Sequence, residues 1–269
     1  MVRWVVLMSL LSLVSCSSRP PVAEQSSADL EKKEEAPVSE DKQSEMWEWA
    51  YEGEKGPNNW ANLNAQYAMC RDGRSQSPVD LVWQKPTGKK PLTVSYREGD
   101  AVITNTGYTY RIELTPQSQI HFDGQDYLLE KIEIRTPSEH QLSGHAMPME
   151  FQFYHRSPNG LKQAILSLFA VSGKEGPWFD QVWQAASSTP LYKSSPKFRF
   201  DPGQLIPPKH TFYQYQGSLT HPPCLEGVNW FVFNTPLQLS TAQIKTFRMT
   251  YNNNNRPVQP LNGRSITNH

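Results

Sequence analysis

The sequence predicts a mainly β domain with few, short helices. Three observations predict it: composition shifts abruptly at Met46, short alternating runs of apolar and polar residues fill the chain beyond that point, and clusters of turn-forming residues separate those runs. At 269 residues the chain is long for one domain and short for two, so one large domain behind a targeting or linker segment is the expected organisation. Lys plus Arg and Asp plus Glu balance at 26 each, which removes the basic footprint of a protein that grips nucleic acid by its phosphates. Eight Trp and 11 % aromatic residues provide the large apolar side chains of a substantial core.

Residues 1–15 read as a bacterial lipoprotein signal peptide. Arg3 supplies the positive start, and an apolar run from Val5 to Val14 comes next; that run is too short to cross a bilayer, which takes roughly 20 residues. It ends in Leu13-Val14-Ser15-Cys16, a lipobox-like tetrad that predicts diacylglycerol on the Cys16 thiol. Acyl chains anchor by burying methylenes at roughly 0.8 kcal/mol each, so the expected location is the bacterial cell envelope, lipid-anchored. Ser17, rather than Asp, follows the cysteine, which favours the outer membrane or cell surface. An ordinary cleaved signal peptide is the alternative. Residues 16–45 then hold Ser, Pro, Glu, Lys, Gln and Ala with no aromatic residue, too little apolar surface to fold, and are expected to form a flexible tether.

The domain proper is expected over residues 46–269. Runs at 93–96, 101–104, 110–114, 120–122, 131–135, 149–154, 164–169 and 229–233 read as strands, and Pro158-Asn159-Gly160 reads as a hairpin turn between two of them. Helical patterns cover 178–187 and 240–250, the latter with Ser240 as N-cap. Cys70 and Cys224 remain once Cys16 is assigned; an even pair in an exported chain suggests a disulfide, with two buried thiols as the alternative.

Several motifs recur in a telling order. Trp47-Glu48-Trp49-Ala50-Tyr51 and Gly56-Pro57-Asn58-Asn59-Trp60 lead into Cys70 and Gln76-Ser77-Pro78-Val79-Asp80. Asn105-Thr106-Gly107-Tyr108 and Thr136-Pro137-Ser138-Glu139-His140 come after them, then a run from Gly217 through Thr220, His221 and Cys224 to Trp230. In this order and spacing the chain resembles α-class carbonic anhydrase from about residue 47 to 266. The resemblance implies a single domain built on a large, twisted, mostly antiparallel β-sheet, and it places Cys70 and Cys224 where bacterial members carry their disulfide. It further implies a zinc ion held by His-x-His on one strand and a third His on the next. Residues two apart on a strand share a face, and three neutral imidazoles leave the fourth zinc position open for water whose pKa falls to about 7, the hydroxide that turns carbon dioxide into bicarbonate.

Here the three ligand positions hold Glu133, Arg135 and Gln152. A neutral amide is a weak donor and a guanidinium a permanent cation, so no metal and no cofactor are expected. Remnants of the supporting groups remain by resemblance: Glu139 and Thr220 match the carboxylate and hydroxyl that orient zinc-bound hydroxide, and Glu150 matches the carboxylate that orients the third histidine. Tyr108 stands where active members often place a proton-shuttling His, and a phenol with a pKa of about 10 is a poor shuttle at neutral pH. Tyr154 replaces a small pocket residue, and His221 resembles a rim position. The other histidines, His121, His140, His145, His155, His210 and His269, show no ligand spacing.

Glu133, Arg135 and Gln152 are expected to form a polar plug, with binding of a small anion by Arg135 as the alternative. The expected function is a non-catalytic carbonic-anhydrase-like envelope lipoprotein, a binding or recognition module for a protein, glycan or small anion. Carbonate dehydratase activity through an atypical zinc site, or a purely structural envelope role, are the alternatives.

Overall fold

The long alternating runs become the middle of one sheet and the turn clusters become its connections. The computed structural model describes residues 48–269 apart from 88–89 and 116–117; the segments expected to form a signal peptide and a tether, with Cys16 and Trp47, lie outside the described residues. In chain order the strands are β1 (Asp80–Leu81), β2 (Leu92–Ser95), β3 (Gly99–Asn105), β4 (Tyr110–Leu114), β5 (Gln119–Phe122), β6 (Gln125–Arg135), β7 (Gln141–Leu142), β8 (His145–Ala146), β9 (Met149–Arg156), β10 (Gln163–Ser172), β11 (Phe198–Phe200), β12 (Phe212–Ser218), β13 (Glu226–Leu239) and β14 (Thr267–Asn268). An 11-stranded sheet runs β11-β3-β4-β6-β9-β10-β13-β12-β14, with β5 beside β6 and β2 beside β5; β1, β7 and β8 make a small second sheet. Within the large sheet only β10 and β13 pair in parallel, so the mostly antiparallel expectation holds. A parallel pair needs a long crossover, and the chain from Ser172 to Glu226 supplies it.

All eight predicted strands and both predicted helices are present, the helices as Pro177–Ser187 and Thr241–Thr250. Pro177 occupies the first helical position, where a missing N–H does no harm. Ser240 caps the second helix in a reciprocal box with Gln243. The strand expected over 229–233 extends on to Leu239, past Pro236, which marks a strand's end to any sequence rule. In the structure the ladder to β10 steps from Leu168↔Phe233 to Ala170↔Leu237, and the irregularity absorbs the proline. β12 is not among the predicted strands, although Tyr213, Tyr215 and Gly217 on its buried face alternate with half-buried Gln214 and exposed Gln216; the run is short and ends in Gly217-Ser218, which reads as a turn.

Alternation in β6 and β9 divides the molecule. Ile132, Ile134, Phe151 and Phe153 point into the main apolar core, which Trp178, Phe179 and Val182 of one helix and Ile244 and Phe247 of the other cover. Glu133, Arg135, Glu150 and Gln152 point the other way and are buried too. A second apolar cluster around Tyr215, Val228 and Trp230 flanks that polar face. The predicted disulfide is formed: Cys70 and Cys224 are bonded with Cα atoms 5.0 Å apart. Close by, Arg256 donates to Gln76 Oε1 and to the carbonyls of Ser77 and Cys70, which ties the 76–80 motif to Cys70 at one buried guanidinium. Gly217 lets Ser77 approach β12, since a Cβ there would sit 2.1 Å from Ser77 Oγ.

Candidate functional site

Register brings the three ligand-position residues together. Glu133 lies opposite Gln152 and Arg135 opposite Glu150 across the β6–β9 ladder, and the side chains of Glu133, Arg135 and Gln152 are all 0 % exposed. Arg135 Nη2 donates to Glu133 Oε2 at 2.8 Å and to the Tyr154 hydroxyl at 3.3 Å. Tyr154 donates to Gln152 Oε1 at 2.9 Å. Gln152 Nε2 in turn donates to Glu139 Oε2 at 2.7 Å and to Glu150 Oε1 at 3.2 Å. The network runs without a break from one carboxylate to the next.

Two cations that sequence reasoning missed complete it. Arg111 Nε and Lys131 Nζ both donate to Glu133 Oε1, at 2.9 and 2.8 Å. The signal was available in principle: Lys131 is two residues before Glu133 and so shares its face, and Arg111 pairs with Glu133 across the β4–β6 ladder, a register that only the structure supplies. Burial pushes the Glu133 carboxyl up, yet Lys131 and then Arg135 and Arg111 hold it well below the usual carboxylate range. Burial opposes the charge on Arg135 as well, and Tyr51, Tyr154, Glu139 and Glu133 outweigh it, so the guanidinium stays charged.

The supporting residues keep part of their arrangement. Glu150 accepts from the backbone N–H groups of Glu139 and His140, from His140 Nδ1, and from Ser167 Oγ. Burial raises its pKa, but His140 and these bonds bring it down to about 2. Glu139 differs: burial raises its carboxyl and Arg135 offsets that only in part. The expected hydrogen bond from Thr220 to Glu139 is only partly realised. A side-chain hydrogen bond from Thr220 helps to lower the Glu139 carboxyl, although its geometry is outside the ordinary range. Glu139 also accepts from Arg256 N at 2.9 Å and from Gln152 Nε2 at 2.7 Å.

Tyr108, at the shuttle position, accepts from Arg111 Nη2 at 3.2 Å, and burial pushes its phenol up to about 12. Tyr154, whose direction the sequence leaves open, points into the site, with Lys131 Nζ 4.4 Å from its ring centre. His221 stacks on Trp49 with ring centres 5.9 Å apart. Its Nδ1 bonds the Pro222 carbonyl at 2.9 Å, and burial lowers its pKa to about 4. Trp49, Tyr51, Trp60 and Tyr108 form an aromatic layer by mutual edge and tilted contacts, and the Tyr51 ring lies 5.8 Å from the Arg135 guanidinium carbon. A hollow of about 460 Å³ has Tyr51, Tyr108, Tyr192, Tyr251 and Asn252 in its wall, but none of Glu133, Arg135 or Gln152 lines it.

Comparison with known proteins settles the kinship that the motifs suggest. Residues 55–269 match the family model of eukaryotic-type carbonic anhydrase. The chain belongs to the α-type carbonic anhydrase family. A carbonic anhydrase of Klebsiella pneumoniae is 34 % identical over 221 residues, 81 % of this chain and 89 % of that protein. The solved α-carbonic anhydrase of Thermovibrio ammonificans, in complex with the inhibitor sulfanilamide, superposes with a TM-score of 0.77 at 35 % identity, covering 81 % of this chain and 98 % of its own. Dioscorin DB3S of Dioscorea polystachya is 31 % identical over 226 residues, 78 % of this chain and 82 % of that protein.

Carbonic anhydrases of this type normally use zinc, and the donor set here does not fit it. Glu133 is engaged by three cations, Arg135 brings a fixed positive charge to the middle of the set, and the Gln152 oxygen is taken by Tyr154. Among the described residues no group of three His, Cys, Asp or Glu side chains is placed to hold a metal ion.

Proposed function

We propose that this protein is a non-catalytic, zinc-free member of the α-carbonic anhydrase family that serves the bacterial envelope as a lipid-anchored binding or recognition module. The buried Arg135–Glu133 pair at 2.8 Å carries the reading. It puts a permanent cation where the family's mechanism requires a dication, and the surrounding network of Arg111, Lys131, Tyr154 and Gln152 engages the polar groups that would otherwise meet a metal or a substrate. Tyr108 adds to it, because a phenol held near 12 by burial relays no protons at neutral pH.

The lipobox-like tetrad ending in Cys16 supports attachment through lipid, with the outer membrane or cell surface as the location. The rigid sheet then presents its surface to a protein, glycan or small-anion partner. Metal analysis of purified protein with a carbon dioxide hydration assay tests the reading: neither zinc nor turnover is expected, and stoichiometric zinc with turnover would replace it with carbonate dehydratase activity at an atypical site. Cys16→Ser is expected to release the protein from the membrane fraction; continued attachment of that variant would refute the anchor.

A further inference from the structure

The hollow of about 460 Å³ beside the aromatic layer falls in the size range of sites that enclose small organic ligands. Four stretches of chain meet in its wall: one between 49 and 55, Gly107 with Tyr108, Tyr192, and 250–254. Asn105 ties three of them together. Its side-chain oxygen accepts from the Tyr251 hydroxyl and from Gly107 N at 3.3 Å, and its carbonyl accepts from Tyr192 N at 2.8 Å. Asn253 fastens the fourth, since its Nδ2 donates to Glu52 Oε1 at 2.8 Å. Tyr192 and Asn253 both hold left-handed backbone, at φ 59° and 58°, a conformation that is rare for tyrosine and persists only where the surroundings fix it. Gly107 makes room for the Tyr192 ring, because a Cβ there would lie 2.7 Å from Tyr192 Cε1. The Asn105-Thr106-Gly107-Tyr108 motif therefore sets this wall, and a wall fixed in advance loses little freedom when a ligand enters.

The chemistry of the wall selects the ligand. Tyr51, Tyr108, Tyr192 and Tyr251 are half-buried, so aromatic rings and polar edges both border the space. Among the described residues the Tyr192 hydroxyl, the Asn252 amide and the Lys55 ammonium have no hydrogen-bond partner, and Glu52 keeps its second oxygen. Glu52 and Lys55 are the charged side chains of the wall, and they cancel, so neither a polyanion nor a cation is selected. The complement is an uncharged molecule with a flat apolar face and, around its edge, groups that both donate and accept. A pyranose sugar is such a molecule. A peptide fits less well. None of the wall belongs to a strand, so no edge is offered for a peptide to extend, and a proline-rich segment, poor in N–H groups, leaves acceptors such as Glu52 unmet.

We propose that this hollow binds a short, uncharged oligosaccharide, with the Tyr192 ring against a sugar face and Asn252 and Glu52 on its hydroxyls. The proposal rests on the binding-module reading and narrows its partner to a glycan. Glu133, Arg135 and Gln152 take no part, since none of the three lines the hollow.

The test is isothermal titration of the full chain, in a zwitterionic detergent with no sugar head group, against triacetylchitotriose, maltotriose and cellotriose. Zinc content and carbon dioxide hydration are measured on the same sample. Saturable binding with a Kd below about 1 mM is expected for at least one trisaccharide. Tyr192→Gly removes the ring and suits the left-handed backbone, so the fold is kept, and it is expected to weaken binding about tenfold or more. Trp83→Ala, which removes a 71 % exposed ring that is not part of the wall, is expected to leave binding unchanged. Absence of saturable binding in the unaltered protein overturns the proposal, as does binding that Tyr192→Gly fails to weaken or that Trp83→Ala weakens equally. A proline-rich peptide that binds where all three sugars fail would assign the hollow to a peptide and overturn it too. Stoichiometric zinc with turnover would instead refute the non-catalytic reading, whether or not a sugar binds.

Discussion

The two faces of β6 and β9 are built from alternate residues of the same two strands, yet they are held together by different physics. On one face Ile132, Ile134, Phe151 and Phe153 pack against helices, and each contact is non-directional and separately replaceable. On the other, Glu133, Arg135, Gln152 and Tyr154 form a chain of charges and directed bonds in which each member depends on its neighbours to offset the cost of burial. The difference teaches that the same depth of burial means different vulnerabilities. The apolar face should lose stability in proportion to the volume removed, and the polar face according to which partner is left unmatched.

Removing one member of the polar chain should produce the largest effect. Arg135→Ala leaves Glu133 and Glu139 buried without their common cation, and a loss of about 3–5 kcal/mol is expected in chemical denaturation; an unchanged midpoint would mean the network contributes little. Acid should separate the faces next. His155 sits at the rim of the apolar face, bonded through Nε2 to the Tyr96 hydroxyl at 2.7 Å, and burial lowers its pKa to about 3. Its folded pKa lies below the unfolded value of about 6.5, so the unfolded chain takes up the proton first and stability falls as pH drops from about 6.5 toward 3, by an amount on the order of a few kcal/mol. Glu150, at about 2, adds a further loss only below its unfolded pKa of about 4.3. His155→Gln should flatten the first part of the profile and leave the second, as read by Tm against pH.

A paired replacement sharpens the contrast. Glu133→Leu with Arg135→Met removes both charges of the central pair, and Arg111 and Lys131, whose side chains are 23 % and 21 % exposed, can turn toward water. The double variant should lie within about 2 kcal/mol of the unaltered protein, well above Arg135→Ala alone. A deficit as large as that of the single variant would show that the network works as a whole and not as a pair. The smallest effect belongs to the apolar side: Ser240→Ala opens the capping box of the helix that covers it and should cost about 1 kcal/mol in the same assay.

The same division governs how much was legible in the sequence. The central strands announce themselves through apolar runs and turn residues, and the spacing of Glu133 and Arg135 was enough to put both on one face. The partners of Glu133 were not legible, since Arg111 meets it only through the β4–β6 register. Nor was the direction of Tyr154, nor the placing of Tyr51 over Arg135, which brings together residues 84 positions apart in sequence. Thr220 shows what carrying a motif over leaves out: it still meets Glu139, but Arg256 N and Gln152, which donate to the same carboxylate, come from parts of the chain that no motif links to it.

The parallel pairing of β10 with β13 has a consequence for how the molecule can be made. Gln163 finds its partner in Val228, so the centre of the sheet stays open along one edge until the last quarter of the chain is in hand. Contacts this distant in sequence slow folding, because the connecting chain must be ordered before they form. An exposed β10 edge is meanwhile a template for pairing with the wrong strand. The protein should therefore tolerate neither truncation before β13 nor division into separately folding halves, and a chain arriving on the far side of a membrane would need protection until its final strands emerge.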